Sequence, residues 1–327
     1  MAGLGRMGRV HAENAARACP SAELACVFDL REEVAREVGA QLRAKVALEL
    51  GQLLDDASVD AVVVASPTSS HFELAAQAAQ AGKPVFCEKP LSLERSPTVG
   101  LIEEFKRAGV GLQVGFHRRF DPALCAVAEK LRDGELGEIF LFRATQRDKA
   151  PPPPEFLASS GGIFLDMTIH DFDAARWLLG EVVRVSAHGE RFSEPAYKAT
   201  RDHHTVVSVL EFASGALGVA DTSRVAGYGY ESFVELLGDK ATVRVEDPYS
   251  ARYELLVPGS ASRPIVQRFP ERFGAAFVAE LEHFARCVLS GAAPEPSGAD
   301  ALAAFDIASA AAESCRRGVP VAVTHAG

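Results

Sequence analysis

No two of the six cysteines (Cys19, Cys26, Cys87, Cys125, Cys287, Cys315) stand in C-x-x-C spacing. That excludes the usual thiolate zinc site and disulfide framework, and fits reduced thiols in a cytoplasm. Positive charge is scarce: 34 Lys and Arg face 44 Asp and Glu, a net charge of −10. Such a surface disfavours nucleic acid and anionic membranes as partners. Long apolar runs are missing as well. The strongest one, Ala61–Ala65, is far too short to cross a bilayer. No basic segment followed by an apolar one marks a secretory signal, so a cytoplasmic location is expected. No internal repeat is visible. What is present is ordinary globular material: 327 residues, 48% hydrophobic and 24% charged, enough for roughly two domains.

Residues 1–116 alternate short apolar runs with helical stretches. Leu24–Asp29, Asp60–Ala65, Pro84–Cys87 and Gly111–Gly115 suit buried parallel strands. Arg9–Ala18, Glu32–Val38, Ser70–Ala81 and Ser96–Ala108 suit the helices that cover them. This rhythm predicts an α/β domain with a parallel sheet. It then changes. A helix is expected over Pro122–Arg132, a strand over Glu138–Arg143, a proline loop over Pro151–Pro154 that shapes a pocket wall, and a helix from about Leu165 to Leu179. Strands are expected over Val182–His188, Thr205–Phe212, Ala216–Thr222, Ser232–Leu237, Ala241–Glu246 and Tyr253–Val257. The alternation of Ala241, Val243 and Val245 with Thr242, Arg244 and Glu246 predicts a sheet with one buried and one polar face. Helices over about Gly274–Ser290 and Ala299–Arg316 follow.

Gly3-Leu4-Gly5-Arg6-Met7-Gly8 matches G-x-G-x-x-G. The first glycine permits the tight turn, the second lets backbone approach a pyrophosphate, and the third lets helix meet strand. The helix that follows aims its free N–H groups, those of Arg6 and Met7 included, at the phosphates. Asp29 stands 21 residues after Gly8, the spacing of an acid that bonds the adenosine ribose. Its carboxylate repels the extra phosphate of NADP and so favours NAD. Arg31 would pull the other way, but reads better as a solvated arginine at a helix start. Ser66 and Thr68 follow the Asp60–Ala65 strand, where they reach the ribose or nicotinamide end or simply form a turn. His71, on the next helix, reads as structural. Glu88-Lys89-Pro90 sits at the carboxyl end of a predicted strand, where ligands of such sheets bind. The proline biases Lys89 toward extended geometry.

Asp166, His170 and Asp173 are spaced i, i+4, i+7 and share a helix face. Carboxylates orient a histidine and favour its charged form, which suits a general base taking a hydroxyl proton. The competing readings are a solvated face with an incidental ion pair, or a zinc or manganese site. Asp202-His203-His204 does not support a metal site: it leads into a strand and reads as a loop cap. No metal is expected.

Together these motifs resemble the Gfo/Idh/MocA family of nicotinamide-dependent oxidoreductases. The resemblance rests on Gly3–Gly8, Asp29, Glu88-Lys89-Pro90, the run from Gly115 to Pro122, and Gly161-Gly162 leading to Asp166, His170, Asp171 and Asp173. It spans essentially the whole chain. A narrower resemblance, to the inositol 2-dehydrogenases, lies in Leu165–Asp173 and Tyr228–Glu231. The resemblance implies an NAD-binding Rossmann domain over residues 1–117. It implies an α+β domain over 118–327 with a predominantly antiparallel open sheet that supports a homo-oligomer, a dimer or tetramer. The C-terminal helices would return to the first domain. Lys89 and His170 would be catalytic, with Asp166 paired to His170. Glu88 would join the cofactor site. Arg119, Asp173 and Tyr228 or Tyr230 would line a pocket for a small polyol, whereas His117 departs from the polar residue common at its position. The implied reaction is oxidation of a cyclitol, myo-inositol to its 2-keto product. A related sugar dehydrogenase, an NAD-recycling glycoside hydrolase and a non-catalytic NAD sensor are the alternatives.

The family has a strand before the glycine motif, yet only Met1 and Ala2 precede Gly3 here. The first strand therefore reads as truncated, with the natural product starting about six residues earlier. Its neighbours are expected not to pair across the vacancy, leaving this chain less stable and a poor NAD binder.

Overall fold

The structure is a computed structural model that describes residues 1–190, 195–200, 202–246 and 253–324. The chain divides into two compact units, Met1–Asp121 with Ala275–Leu302, and Pro122–Gly274 with Ala303–Gly327. Among the described residues no helix is long and apolar enough to cross a membrane.

The first unit holds a parallel sheet of short strands: β1 (Cys26–Val27), β2 (Lys45–Val46), β3 (Val62–Val64), β4 (Val85–Cys87) and β5 (Leu112–Val114). β1 pairs with β2, and β3, β4 and β5 pair in that order, all in parallel. Val62, Val64, Val85, Phe86 and Cys87 are fully buried, as expected of strands covered on both faces. Helices Arg6–Arg17, Glu32–Leu42, His71–Gln80 and Arg95–Ala108 supply the cover. The last ends at Gly109, whose left-handed backbone (φ +69°) returns its N–H to Phe105 O. Lys45–Val46 and the short helix Leu50–Leu54 carry too little pattern to be read from sequence.

The expectation that the neighbours of the first strand fail to pair needs correction. Ala2 forms parallel bridges to both Phe28 and Val64. Ala2 N donates to Val63 O at 2.8 Å, Gly3 N to Phe28 O at 2.9 Å, and Ala65 N to Ala2 O at 2.9 Å. Met1–Gly3 thus join β1 to β3, giving the order β2-β1-(Met1–Gly3)-β3-β4-β5, that of a doubly wound nucleotide-binding sheet. The neighbouring ladders are themselves only two or three residues long.

The second unit is built on a seven-stranded sheet. Its strands are β6 (Ile139–Arg147), β7 (Val182–Glu190), β8 (Thr205–Phe212), β9 (Leu217–Ser223), β10 (Glu231–Gly238) and β11 (Thr242–Glu246), completed by β14 (Val321–Ala322). The order is β11-β10-β6-β9-β8-β7-β14. Only β6 and β9 run parallel; the other neighbours are antiparallel. β12 (Leu255–Val257) and β13 (Ser260–Ser262) make a separate exposed hairpin. The expected strand over Tyr253–Val257 therefore stands apart from the main sheet.

One face of that sheet is core. Phe142, Ala144, Val206, Leu210, Ala220, Val234 and Leu236 pack with Phe172 and Ala175 of helix Ile169–Leu179 and with Ile307, Ala308 and Ala311 of helix Gly298–Arg317. Each large apolar side chain buried this way contributes about 1.5–3 kcal/mol. Helix Pro122–Arg132 begins at its proline, which suits a first-turn position. The proline run differs from expectation for the same reason: Pro154 opens a short helix, Pro154–Ser159, rather than ending a loop. A larger difference is the start of helix Leu165–Leu179. Phe164–Thr168 form a π-helical turn, and the α-helix proper runs from Ile169.

Candidate active site

The glycine motif is a backbone contact. Gly3 has φ +90°, and a Cβ there would lie 2.5 Å from Ser66 N. A Cβ on Gly8 would lie 2.0 Å from Gly3 O. Neither position admits a side chain. Gly5 differs: a Cβ there meets nothing within 4 Å, so its surface is open. Gly5 is also the cap of helix Arg6–Arg17, with no side-chain cap and no acid in the first turn. The positive end of the helix thus begins beside open space at Gly5, an arrangement that suits an anion.

Asp29 closes this loop. Its Oδ2 accepts from Leu4 N at 2.8 Å, and its Oδ1 from Arg31 N at 3.0 Å. Arg31 Nε reaches the same Oδ1 at 3.3 Å, and the arginine is 61% exposed. Ser66 Oγ bonds Ser70 Oγ at 2.7 Å, and Thr68 opens the short 3₁₀ turn that follows. His71 is buried and structural. Its two ring nitrogens meet Pro90 O at 2.9 Å and Ser66 O at 2.8 Å, so it ties the Ser66 loop to the Glu88-Lys89-Pro90 loop. Burial holds its pKa below the usual value. Lys89 is half-buried just past β4. The Glu88 carboxylate points inward and meets His11 Nε2 at 2.7 Å. Arg119 pairs with Asp300 at 3.1 Å. Burial alone would raise the Asp300 acid, but Arg119 and Ser297 outweigh it and hold the acid low. His117 is buried, tilted on Phe277 with ring centres 4.6 Å apart, a core position.

In the second unit Asp166 lies in the π turn, while His170, Asp171 and Asp173 lie on the α-helix, all three buried. The π turn is a wider coil than the α-helix that the spacing assumes. Asp166 Oδ2 accepts from Arg224 Nη1 at 2.7 Å, and Arg224 Nη2 donates to Asp202 Oδ2 at 3.2 Å. Arg224 is 1% exposed. Burial disfavours its charge, yet Asp166 and Asp202 outweigh that and raise its pKa. Asp202 is a loop cap as expected, accepting from Ile163 N at 3.0 Å and His203 N at 2.8 Å. Its hold on Arg224 was not legible. Thr222 Oγ1 donates to Asp171 Oδ2 at 3.5 Å. Of the two tyrosines, Tyr230 is buried among Phe269 and Phe273. Tyr228 is half exposed, and its hydroxyl donates to Glu231. Desolvation and Glu231 push that phenol up to about 12.

Arg224, His11 and Glu280 are the residues that sequence reasoning missed. Arg224 directly follows a strand and belongs to no periodic stripe. His11 did leave a signal: it shares the buried face of its helix with Gly8, Ala12 and Ala15.

The N-terminal part, residues 1–116, matches the model of the oxidoreductase family with the NAD-binding Rossmann fold. Residues 125–244 match the GFO/IDH/MocA C-terminal domain. The chain is 38% identical to the scyllo-inositol 2-dehydrogenase (NAD(+)) of Bacillus subtilis strain 168, over 98% of this chain and 94% of that one. It is 41% identical to the myo-inositol 2-dehydrogenase of Thermotoga maritima, over 95% and 94%. Among solved structures, a myo-inositol dehydrogenase from Corynebacterium glutamicum superposes with a TM-score of 0.94 at 32% identity, covering 99% of this chain and 98% of that one. The scyllo-inositol dehydrogenase of Lactobacillus casei, with bound NAD(H) and scyllo-inositol, gives 0.91 at 28% identity over 98% and 97%.

Replacing Arg224 with Met removes the cation from two carboxylates and strands them. Breaking a buried pair this way costs about 3–5 kcal/mol. Urea unfolding should show a loss of that size; wild-type stability would mean that the network carries no weight.

Proposed function

The chain belongs to the GFO/IDH/MocA oxidoreductase family, and from that membership we propose that it is an NAD-dependent cyclitol dehydrogenase that oxidises myo-inositol to 2-keto-myo-inositol. One observation carries the reading. A near end-to-end match to proteins named for inositol oxidation coincides with Lys89, Asp166 and His170 all present.

NAD, when bound, supplies the hydride acceptor. The open backbone at Gly5 and the first-turn N–H groups of Arg6 and Met7 would hold its pyrophosphate, and Asp29 would accept from the adenosine ribose. Ser66 and Thr68 serve the ribose and nicotinamide end. His170 takes the proton of the reacting hydroxyl as general base. Lys89 hydrogen-bonds the same oxygen and steadies the charge that develops there. Asp166, itself held by Arg224, orients His170. Arg119, Asp173 and Tyr228 bond the remaining ring hydroxyls. A site built to bond hydroxyls rejects analogues that lack them, because its polar groups are then left unpaired.

The outer face of the seven-stranded sheet carries Val207 (41% exposed), Val209 (38%), Leu217 (50%) and Leu237 (40%). We infer that this face joins copies of the chain into a homo-oligomer, because apolar side chains clustered on an open sheet favour a covered state.

Three outcomes test these readings. Lys89→Ala and His170→Ala should each cut kcat by about 10²–10⁴-fold while NADH binding, read by fluorescence titration, is largely kept. Near-wild-type turnover in either would refute its role. Across cofactors and substrates, kcat/KM should be highest with NAD and with myo-inositol or its scyllo isomer, and Asp29→Ala should narrow the gap to NADP. Preference for NADP or for a simple 2-hydroxy acid would overturn the assignment. Finally, light scattering should give the mass of a dimer or larger, and Val207→Lys with Val209→Lys should shift it toward one chain; a monomeric wild type would contradict the oligomer.

A further inference from the structure

The proposed mechanism leaves unused a cluster inside the first unit. His11 on helix Arg6–Arg17, Glu88 just past β4 and Glu280 on helix Phe269–Ser290 each bring one polar atom to within 4.8 Å of the others. All three are buried, His11 and Glu280 completely. His11 Nε2 and Glu88 Oε1 are 2.7 Å apart, and Lys89 N donates to Glu88 Oε2 at 3.3 Å. Neither carboxyl oxygen of Glu280 has a hydrogen-bond partner among the described residues, and neither does Nδ1 of His11. The surroundings are aromatic: Phe86 and Phe277 stand edge-on to the His11 ring at 5.1 and 6.1 Å.

Two carboxylates this close in a dry site do not both ionise; one of them keeps a proton. The partners decide which. Glu88 faces His11, Lys89, His71 and Glu280. Burial pushes the Glu88 acid up, but the hydrogen bond and charge of His11, with the charges of Lys89 and His71, outweigh burial and hold it low. Glu280 has only Glu88 acting on it, and burial followed by that charge pushes its acid well up. The proton therefore belongs on Glu280 and the charge on Glu88. We propose that Glu280 and His11 are positioning residues that hold Glu88 as the one anion of a proton-sharing cluster, and through Glu88 fix the backbone that presents Lys89. The proposal rests on the role given to Lys89 above.

The Glu88 carboxylate is held from two sides, by His11 Nε2 at one oxygen and by the Lys89 N–H at the other, while the Glu280 carboxyl lies within 4.8 Å of the pair with no hydrogen bond of its own among the described residues. Gly115 keeps room for this carboxylate, since a Cβ there would lie 3.0 Å from Glu88 Oε2. Buried Gln113 on β5 donates to Glu280 O at 2.9 Å and anchors the helix that carries the acid. The glycine-loop helix, the Lys89 loop and a helix distant in sequence thus meet at one buried cluster.

The test compares E280Q and E280A with the wild type. A buried neutral acid keeps its proton in the folded state, whereas the unfolded chain loses it near pH ~4.3. Stability from this group is therefore present below that pH and lost as pH rises toward the folded value. E280Q lacks the effect, so its melting temperature should gain on wild type from pH ~5 to ~8; a gap independent of pH overturns the proposal. E280A should lower kcat about tenfold through a displaced Lys89, and E280Q should recover most of the loss. Glutamine no better than alanine overturns it too, as does one divalent cation per chain that is lost in E280Q, since a metal would require both carboxylates ionised. Full turnover in Lys89→Ala would refute the role of Lys89, and with it the positioning half of the proposal, while the pH-dependent stability gap would still report the shared proton.

Discussion

Three backbones meet at Gly3 with no room for a side chain. The missing Cβ of Gly3 would fall 2.5 Å from Ser66 N, and that of Gly8 2.0 Å from Gly3 O. This contact seats helix Arg6–Arg17 on the sheet and turns its open first turn outward at Gly5. Asp29 is drawn in by the N–H of Leu4, so the acid and the glycine turn form one piece. The same seating places His11, one turn further along, against Glu88. Dinucleotide binding and the setting of Lys89 therefore depend on a single steric constraint.

Electrostatics in each unit follow a common rule: a buried anion is kept only where a partner stabilises it. In the second unit Arg224 holds both Asp166 and Asp202, and the pairs fix the π turn that leads into the His170 helix. In the first unit His11 and the Lys89 N–H face the Glu88 carboxylate, and Glu280 completes the set. Neither arrangement is a stability device, because apolar groups of equal volume would serve as well or better. Their value is geometric: each fixes the loop or turn that carries a residue assigned to the chemistry.

Elements with a strong local pattern were legible in the sequence. The four buried strand runs of the first unit, the Pro122 helix and the alternating strands of the second were read within a few residues of their observed bounds. The glycine motif was legible because steric exclusion leaves a mark on residue type. The π turn was not, since Asp166, His170 and Asp173 keep an α-helical spacing in the chain. Nor was the joining of β1 to β3 by Met1–Gly3, because three residues carry no periodicity. Arg224 and Glu280 were missed for a different reason. Their partners lie 58 residues away from Arg224, at Asp166, and far across the sequence from Glu280, at His11 and Glu88. Only folding brings them together.

The central claim is direct hydride transfer from a cyclitol carbon to NAD. It is tested most directly by supplying myo-inositol deuterated at carbon 2 and following the label. The account predicts one deuterium in each NADH formed, one ketone per NADH, and a slower rate than with the unlabelled polyol. Turnover without net NADH, or NADH free of deuterium, would contradict it.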